Sequence, residues 1–140
     1  MKYLLDTNVL SEPASAAPNA RVLAWIDAQD PLNLHVSVVT LAEIEEGVAR
    51  LPASRRRSAL ETWRDSLAVS LGDRLLPLDA AIASTWGRLR ARLAAERRTI
   101  APMDAFIAAT AERHDLTLVT RNVKHFQAWG GPMVDPWSEA

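Results

Sequence analysis

Four polar residues close or interrupt apolar stretches of this sequence: Asp6 in "YLLDTNVL", Glu43 in "SVVTLAEIEEG", Asp104 in "APMDAFIAAT" and Asn122 in "LVTRN". They lie far apart along the chain, and three of them are acids. An acid that ends a hydrophobic strand must be partnered or ligated, because a desolvated carboxylate on its own is costly. Several carboxylates gathered in one place repel one another, and a divalent cation cancels that cost. Hard cations such as Mg²⁺ take oxygen ligands, keep several waters, and use one or two carboxylates together with substrate phosphates. A centre of that kind activates water and offsets charge on a phosphodiester undergoing cleavage.

Each residue also has a purely local explanation. Thr40-x-x-Glu43 spells a capping box, in which Glu43 would satisfy only a backbone N–H. Pro102 and Asp104 spell a helix start, with the acid offsetting the helix dipole. Asp6 fits an Asx turn, Thr7 and Asn8 fit turn chemistry, and Asn122 fits a loop. Asp79 stands where an N-cap belongs, Asp115 falls in a turn, and at most one of Glu45 and Glu46 shares a helix face with Glu43. The convergence of Asp6, Glu43, Asp104 and Asn122 on one place, if the fold brings it about, separates the chemical reading from the local ones.

The elements that would position them can be read from hydrophobic spacing. Apolar residues recur at helical intervals over 20–29 (Val22, Ile26), 54–71 (Leu60, Trp63, Leu67, Leu71), 79–97 (Ile82, Trp86, Leu89, Leu93) and 103–114 (Phe106, Ile107, Thr110). A further helix follows the run at 34–38 and carries Glu43 in its first turn. Short apolar runs at 2–5, 34–38, 75–78, 116–119 and, more weakly, 132–135 read as buried parallel strands. Strands alternating with helices imply an α/β layer fold with right-handed crossovers. In such a fold, strand C-terminal ends and the helix N-termini that follow them meet at one sheet edge, where ligand sites gather. Asp104 must return to that edge after helix 79–97 has left it. Seven extended residues over 97–103 reach about 23 Å, against roughly 13 Å for a four-residue strand, so the return is feasible.

A chain of 140 residues, 49% hydrophobic and 24% charged, suits a globular fold with a sizeable core. The absence of cysteine excludes disulfides and thiolate–zinc sites and fits a reducing, cytoplasmic setting. Asp6 cuts the N-terminal apolar run too short for a signal peptide, and no stretch approaches the ~20 apolar residues of a membrane span. Net charge is −1, so no global positive field marks a nucleic-acid partner. Of 16 basic residues all but Lys2 and Lys124 are arginine, clustered in 50–57 and 88–98. Singly they read as solvated helix faces; as a set they could steer phosphates. Tryptophans 25, 63, 86 and 129 read as core or interface anchors, and Trp137 as a pin for the tail. His35, His114 and His125 do not form a paired acid–base set. His35 reads as structural and His125 as a candidate RNA contact.

Four segments in order, "YLLDTNVLSE" (3–12), "SVVTLAEIEEGVARL" (37–51), "MDAFIAATAERHDLTLVTRNVKHF" (103–126) and "DPW" (135–137), resemble the PIN-domain ribonucleases, and specifically the VapC-like toxins of type II toxin–antitoxin pairs. The likeness runs almost end to end. It implies a single domain over 1–140 with a three-layer α/β/α fold and a central, mainly parallel sheet. It implies an endoribonuclease dependent on Mg²⁺ or Mn²⁺. By motif, Asp6, Glu43 and Asp104 are the metal-site acids: Asp6 and Asp104 hold the ion, and Glu43 is a ligand or a base that positions water. Asn122 belongs to the catalytic set by position, but many PIN domains carry a fourth acid there. A neutral amide can orient water or offer its carbonyl, yet adds no charge. Thr7, Asn8 and Thr120 are expected to support the site by hydrogen bonds. The resemblance further implies a homodimer, a cytoplasmic location with no membrane association, and RNA as substrate. It implies a small cognate antitoxin whose tail blocks the site with an arginine, a guanidinium pairing with the acids in place of the metal. Promoter DNA would be bound only through that antitoxin.

Three other readings compete. Haloacid-dehalogenase-like phosphatases also begin with an aspartate after the first strand, but they need a second Asp two residues on, where this chain has Asn8, and a later lysine for which Lys124 is the sole candidate. A PIN nuclease with a housekeeping RNA-processing role shares the same site. A degenerate PIN domain acting as a binding module would not need the three acids this chain retains.

Overall fold

The structure, a computed structural model, describes residues 1–138. Strands and helices alternate as β1 (Tyr3–Leu5), α1 (Thr7–Ser11), α2 (Ala20–Asp27), β2 (Leu34–Ser37), α3 (Val38–Ala49), α4 (Arg55–Leu71), β3 (Leu75–Leu76), α5 (Ala80–Ala95), α6 (Pro102–Arg113), β4 (Thr117–Val119), α7 (Val123–Phe126) and β5 (Met133–Val134). The five strands form one sheet in the order β3-β2-β1-β4-β5, and every pairing is parallel. The expected three-layer α/β/α architecture is present, and the sheet is wholly rather than mainly parallel. The chain steps from β1 outward through β2 to β3, then crosses back to lay β4 on the other side of β1. The strand order therefore reverses between β1 and β4, and the crevice beyond their C-terminal ends is where an open parallel sheet binds ligands.

Alternation along each strand divides the core into two. Leu4, Leu76 and Leu118 point to the face covered by α5 and α6, where they meet Leu89, Leu93, Ala105, Ile107, Phe126 and Trp129. Their neighbours Leu5, Leu34, Val36 and Val119 point to the other face and pack against Val9, Val22, Trp25 and Trp137. This is the two-residue period of a sheet buried on both sides. A third cluster, Ile44, Val48 and Leu67 with Leu60 and Trp63, joins α3 to α4. Trp137 packs on the second cluster, as its reading as a tail pin expected.

Several local expectations need correcting, and all concern where helices begin. Ser37, not Thr40, caps α3, its hydroxyl accepting from the Val39 N–H at 3.0 Å. The helix thus starts at Val38, and Glu43 stands in its second turn rather than its first. No Thr40–Glu43 capping box forms, and the buried Thr40 hydroxyl has no hydrogen-bond partner among the described residues. A helix, α1, begins directly after Asp6 where only a turn was expected. Asp79 does cap α5, accepting from Ile82 N–H at 2.9 Å. Pro102 opens α6 one residue ahead of the expected start and puts Asp104 in its first turn. α4 ends at Gly72, whose φ of +53° favours glycine.

Candidate active site

Asp6 stands at the reversal of strand order and is built into it. Its N–H donates to the Val119 carbonyl at 2.9 Å, which completes β1 against β4. Its carbonyl accepts from Val9 and Leu10, both at 3.1 Å, which starts α1. The strand therefore ends and the helix begins on one residue, and the side chain is left at the sheet edge. Asp6 is only 6% exposed, and hydrogen bonds repay the burial. Oδ1 accepts from the Thr7 N–H at 2.8 Å; Oδ2 accepts from the Thr120 hydroxyl at 2.7 Å and from the Asn8 amide at 3.3 Å.

Thr120 and Asn8 tie that carboxylate to the end of β4. The Thr120 hydroxyl, fully buried, donates to Asp6 and accepts from the Asn122 N–H at 3.0 Å. The Asn8 side-chain carbonyl accepts from the Arg121 N–H at 3.1 Å. Thr7 serves the third wall, its hydroxyl donating to Oε1 of Glu43 at 3.1 Å. Thr7, Asn8 and Thr120 thus make the supporting hydrogen bonds expected of them.

Glu43 and Asp104 are held much more loosely. Glu43 accepts only the Thr7 hydroxyl, and Asp104 accepts no hydrogen bond from any described residue. Partial burial lifts the Glu43 carboxyl above the usual carboxylate range; the Thr7 hydroxyl pulls the other way, and the charges of Asp6, Asp104 and Glu46 lift it further. Burial and then the Asp6 charge lift Asp104 likewise, against the pull of His125. The three acids therefore share one electric field. They are not gathered into a ready-made cage: among the described residues no group of three or more His, Cys, Asp or Glu is assembled to hold a metal ion. Asn122 is exposed, and its amide makes no hydrogen bond to the acids; only its backbone N–H is linked to them, through Thr120.

The donor set fits a hard divalent cation. All candidate ligands are carboxylate oxygens, the Asp104 carboxylate is free of hydrogen bonds among the described residues, and burial, then the charge of Asp6, disfavours the charged form of Glu43 and Asp104. One or two direct carboxylates with the remaining positions on water is the pattern Mg²⁺ takes.

Two cavities flank the acids. One of about 280 Å³ opens between α1, α3 and α4, and Thr7, Glu43, Ile44, Arg56, Leu60 and Trp63 are among the residues that line it. The other, of about 330 Å³, is lined by Thr99, Ile100, Ala101, Asp104, Lys124 and His125. Sequence reasoning did not place Lys124 or Thr99 beside Asp104. The available signal was one internal lysine in an arginine-rich chain, two residues past Asn122. His35 plays the structural part expected of it, with Nδ1 3.2 Å from the Tyr3 carbonyl.

The PIN domain model matches residues 3–129. The toxin FitB of Neisseria gonorrhoeae is 36% identical over 97% of this chain and 99% of its own length. The crystal structure of FitAcB from that organism superposes with a TM-score of 0.90 at 37% identity, covering 96% of this chain and 98% of that one. The VapC ribonuclease Y4jK of Sinorhizobium fredii is 37% identical over 98% of this chain and 99% of its own length. VapBC-5 of Mycobacterium tuberculosis, a member of the VapBC family of toxin–antitoxin systems, superposes with a TM-score of 0.66 at 31% identity, covering 93% of this chain and 91% of that one. An α/β sheet with a carboxylate at its switch point and this breadth of likeness define one class: the chain belongs to the PIN-domain family. Its relatives within that family are VapC and FitB toxins.

Proposed function

We propose that the chain is a metal-dependent endoribonuclease toxin, silenced by a cognate antitoxin. The observation that carries the reading is the pairing of an Asp6 carboxylate, locked at the switch point by three hydrogen bonds, with two under-satisfied acids, Glu43 and Asp104, in the same field. Asp6 and Asp104 would hold Mg²⁺ or Mn²⁺, with Glu43 as a further ligand or as the base that positions water. When bound, the cation offsets the carboxylate charges and the charge that develops on the phosphodiester. As the base, Glu43 would take the proton of the attacking water. Asp6 does not move, because Thr120, Asn8 and Thr7 fix both of its oxygens. As the water oxygen joins phosphorus, the bond to the leaving ribose oxygen breaks, and that oxygen takes a proton from solvent. Asn122 sits beside this set without adding charge.

The relatives support the partners. A ribonuclease name at 37% identity supports RNA as substrate, and likeness to toxin–antitoxin assemblies supports an antitoxin. The antitoxin's arginine would pair with the same acids, and promoter DNA would be bound through the antitoxin. A cytoplasmic homodimer is the working form of this reading. No helix among the described residues is long and apolar enough to cross a membrane.

The test is incubation of antitoxin-free protein with total bacterial RNA, in Mg²⁺ or Mn²⁺ and then in EDTA, beside Asp104→Ala. Discrete fragments that require both the metal and Asp104 support the reading. No cleavage by well-folded protein overturns it in favour of a binding module.

A further inference from the structure

We propose that Lys124 and His125 form a phosphate-binding subsite, which seats a backbone phosphate of the RNA next to the one being cleaved. The proposal rests on the ribonuclease reading and adds to it the residues that position the strand. Both residues line the cavity of about 330 Å³ that Asp104 also lines, so a strand that reaches Asp104 through this cavity meets them. Thr99 lines the same space. Lys124 makes no ion pair or hydrogen bond with its side chain among the described residues, not even with Asp104 across the cavity. Its ammonium is thus available to a ligand, and the ligand chemistry it selects is anionic. The opposite cavity has one cation on its wall, Arg56, among the apolar side chains of Ile44, Leu60 and Trp63, whereas the Asp104 cavity brings Lys124 and His125 together. The flanking phosphate is assigned to the Asp104 side on that pairing.

The fold positions this pair. Phe126, completely buried in the core beneath α5 and α6, anchors α7, while Lys124 and His125 stay exposed on it. The His125 N–H donates to the Asn122 carbonyl at 2.9 Å, and the Asn122 N–H donates to the Thr120 hydroxyl, which in turn holds Asp6. The turn that carries the two basic residues is thus linked through two residues to the fixed carboxylate. A phosphate held there is registered against Asp6 as well as Asp104. The nearby carboxylate keeps the subsite from being a general anion trap, since a small free anion would meet Asp104 without the compensation that a strand engaged at the metal centre supplies.

Lys2, the other lysine, provides an internal control. It precedes β1 at the N-terminal end of the sheet, the edge opposite the acids. The experiment measures binding of a short fluorescein-labelled single-stranded RNA of mixed sequence, by anisotropy, in Mg²⁺ and across a KCl series. It uses the full chain carrying Glu43→Gln to suppress cleavage. Adding Lys124→Ala is expected to weaken binding roughly tenfold, the size of one charge-assisted contact. It should also flatten the slope of log Kd against log salt by about 0.7, one single-strand phosphate. His125→Ala is expected to act in the same direction with a smaller loss, Lys124→Arg to restore both readouts, and Lys2→Ala to change neither. Thermal midpoints of each variant establish that it is folded. Wild-type-like affinity in Lys124→Ala overturns the subsite while leaving the nuclease reading intact. So does weaker binding with an unchanged slope, or an equal effect of Lys2→Ala. A parent protein that binds no RNA overturns the subsite together with the reading beneath it.

Discussion

Asp6 and Asp104 are both aspartates at the start of a helix on the same sheet edge, yet the protein treats them oppositely. Asp6 is buried, and three donors occupy its two oxygens. Asp104 is partly exposed and, among the described residues, accepts nothing, with its carboxyl raised by burial and by the charge of Asp6. One acid is part of the architecture: it closes β1, starts α1 and receives Thr120 from β4. The other is held ready for something with positive charge. A site can thus combine a fixed reference point with a responsive one, and stability and activity should separate between the two.

The sharpest way to break the comparison is to remove each acid. Asp6→Ala leaves the Thr120 hydroxyl and the Asn8 amide without their acceptor in a buried setting. It should cost about 2–3 kcal/mol of stability, read as a lower urea midpoint at unchanged slope, and should abolish RNA cleavage as well. Asp104→Ala should reduce cleavage on the order of a hundredfold or more with no loss of thermal midpoint. If the two variants lose stability equally, the distinction between them fails.

A finer test uses pH. The folded-state carboxyls of Glu43 and Asp104 lie above their ordinary values. Such groups contribute stability that is full below their unfolded pKa and lost as pH rises through the raised folded pKa. Glu43→Gln and Asp104→Asn remove that loss. In metal-free protein each should therefore be more stable than wild type at neutral pH, with the advantage vanishing below about pH 4. Solvent screening of these half-exposed groups keeps the gain below about 1 kcal/mol. A melting series across pH that shows no growing gap would mean that burial and the Asp6 charge do not raise the two carboxyls.

The smallest expected effect is at Asn122. Asn122→Asp adds a charge at an exposed position linked to Asp6 only through its backbone. Mn²⁺ binding should tighten by roughly two- to threefold, as for a screened charge, measured by calorimetry. Unchanged affinity would place residue 122 outside the reach of the ion.

Much of this was legible in the linear sequence. Five short apolar runs mark the strands, because a strand buried on both faces needs no polar alternation. Four segments mark the family, and three of them, 3–12, 37–51 and 103–126, carry Asp6, Glu43, Asp104 and Asn122. Asp79 marks the start of α5, since capping is a contact of three residues. Misreadings arose where a local rule met a non-local decision. Thr40-x-x-Glu43 satisfies the capping-box pattern, but β2 ends at Ser37, and Ser37 caps the helix before Thr40 can. Five residues of helix after Asp6 were too few to show a hydrophobic period.

By itself, then, the sequence determined the longer helices, the five strands and the parallel sheet, set by short-range periodicity and residue chemistry, and it named the candidate acids. Tertiary structure alone decided that Thr120, expected only as a support, reaches Oδ2 of Asp6 across 114 residues, that Lys124 shares one cavity with Asp104, and that one carboxylate is saturated and the other not. Those depend on which strands become neighbours and where each helix starts. Strand order and helix phase are consequences of packing the whole chain, and no window of sequence contains them.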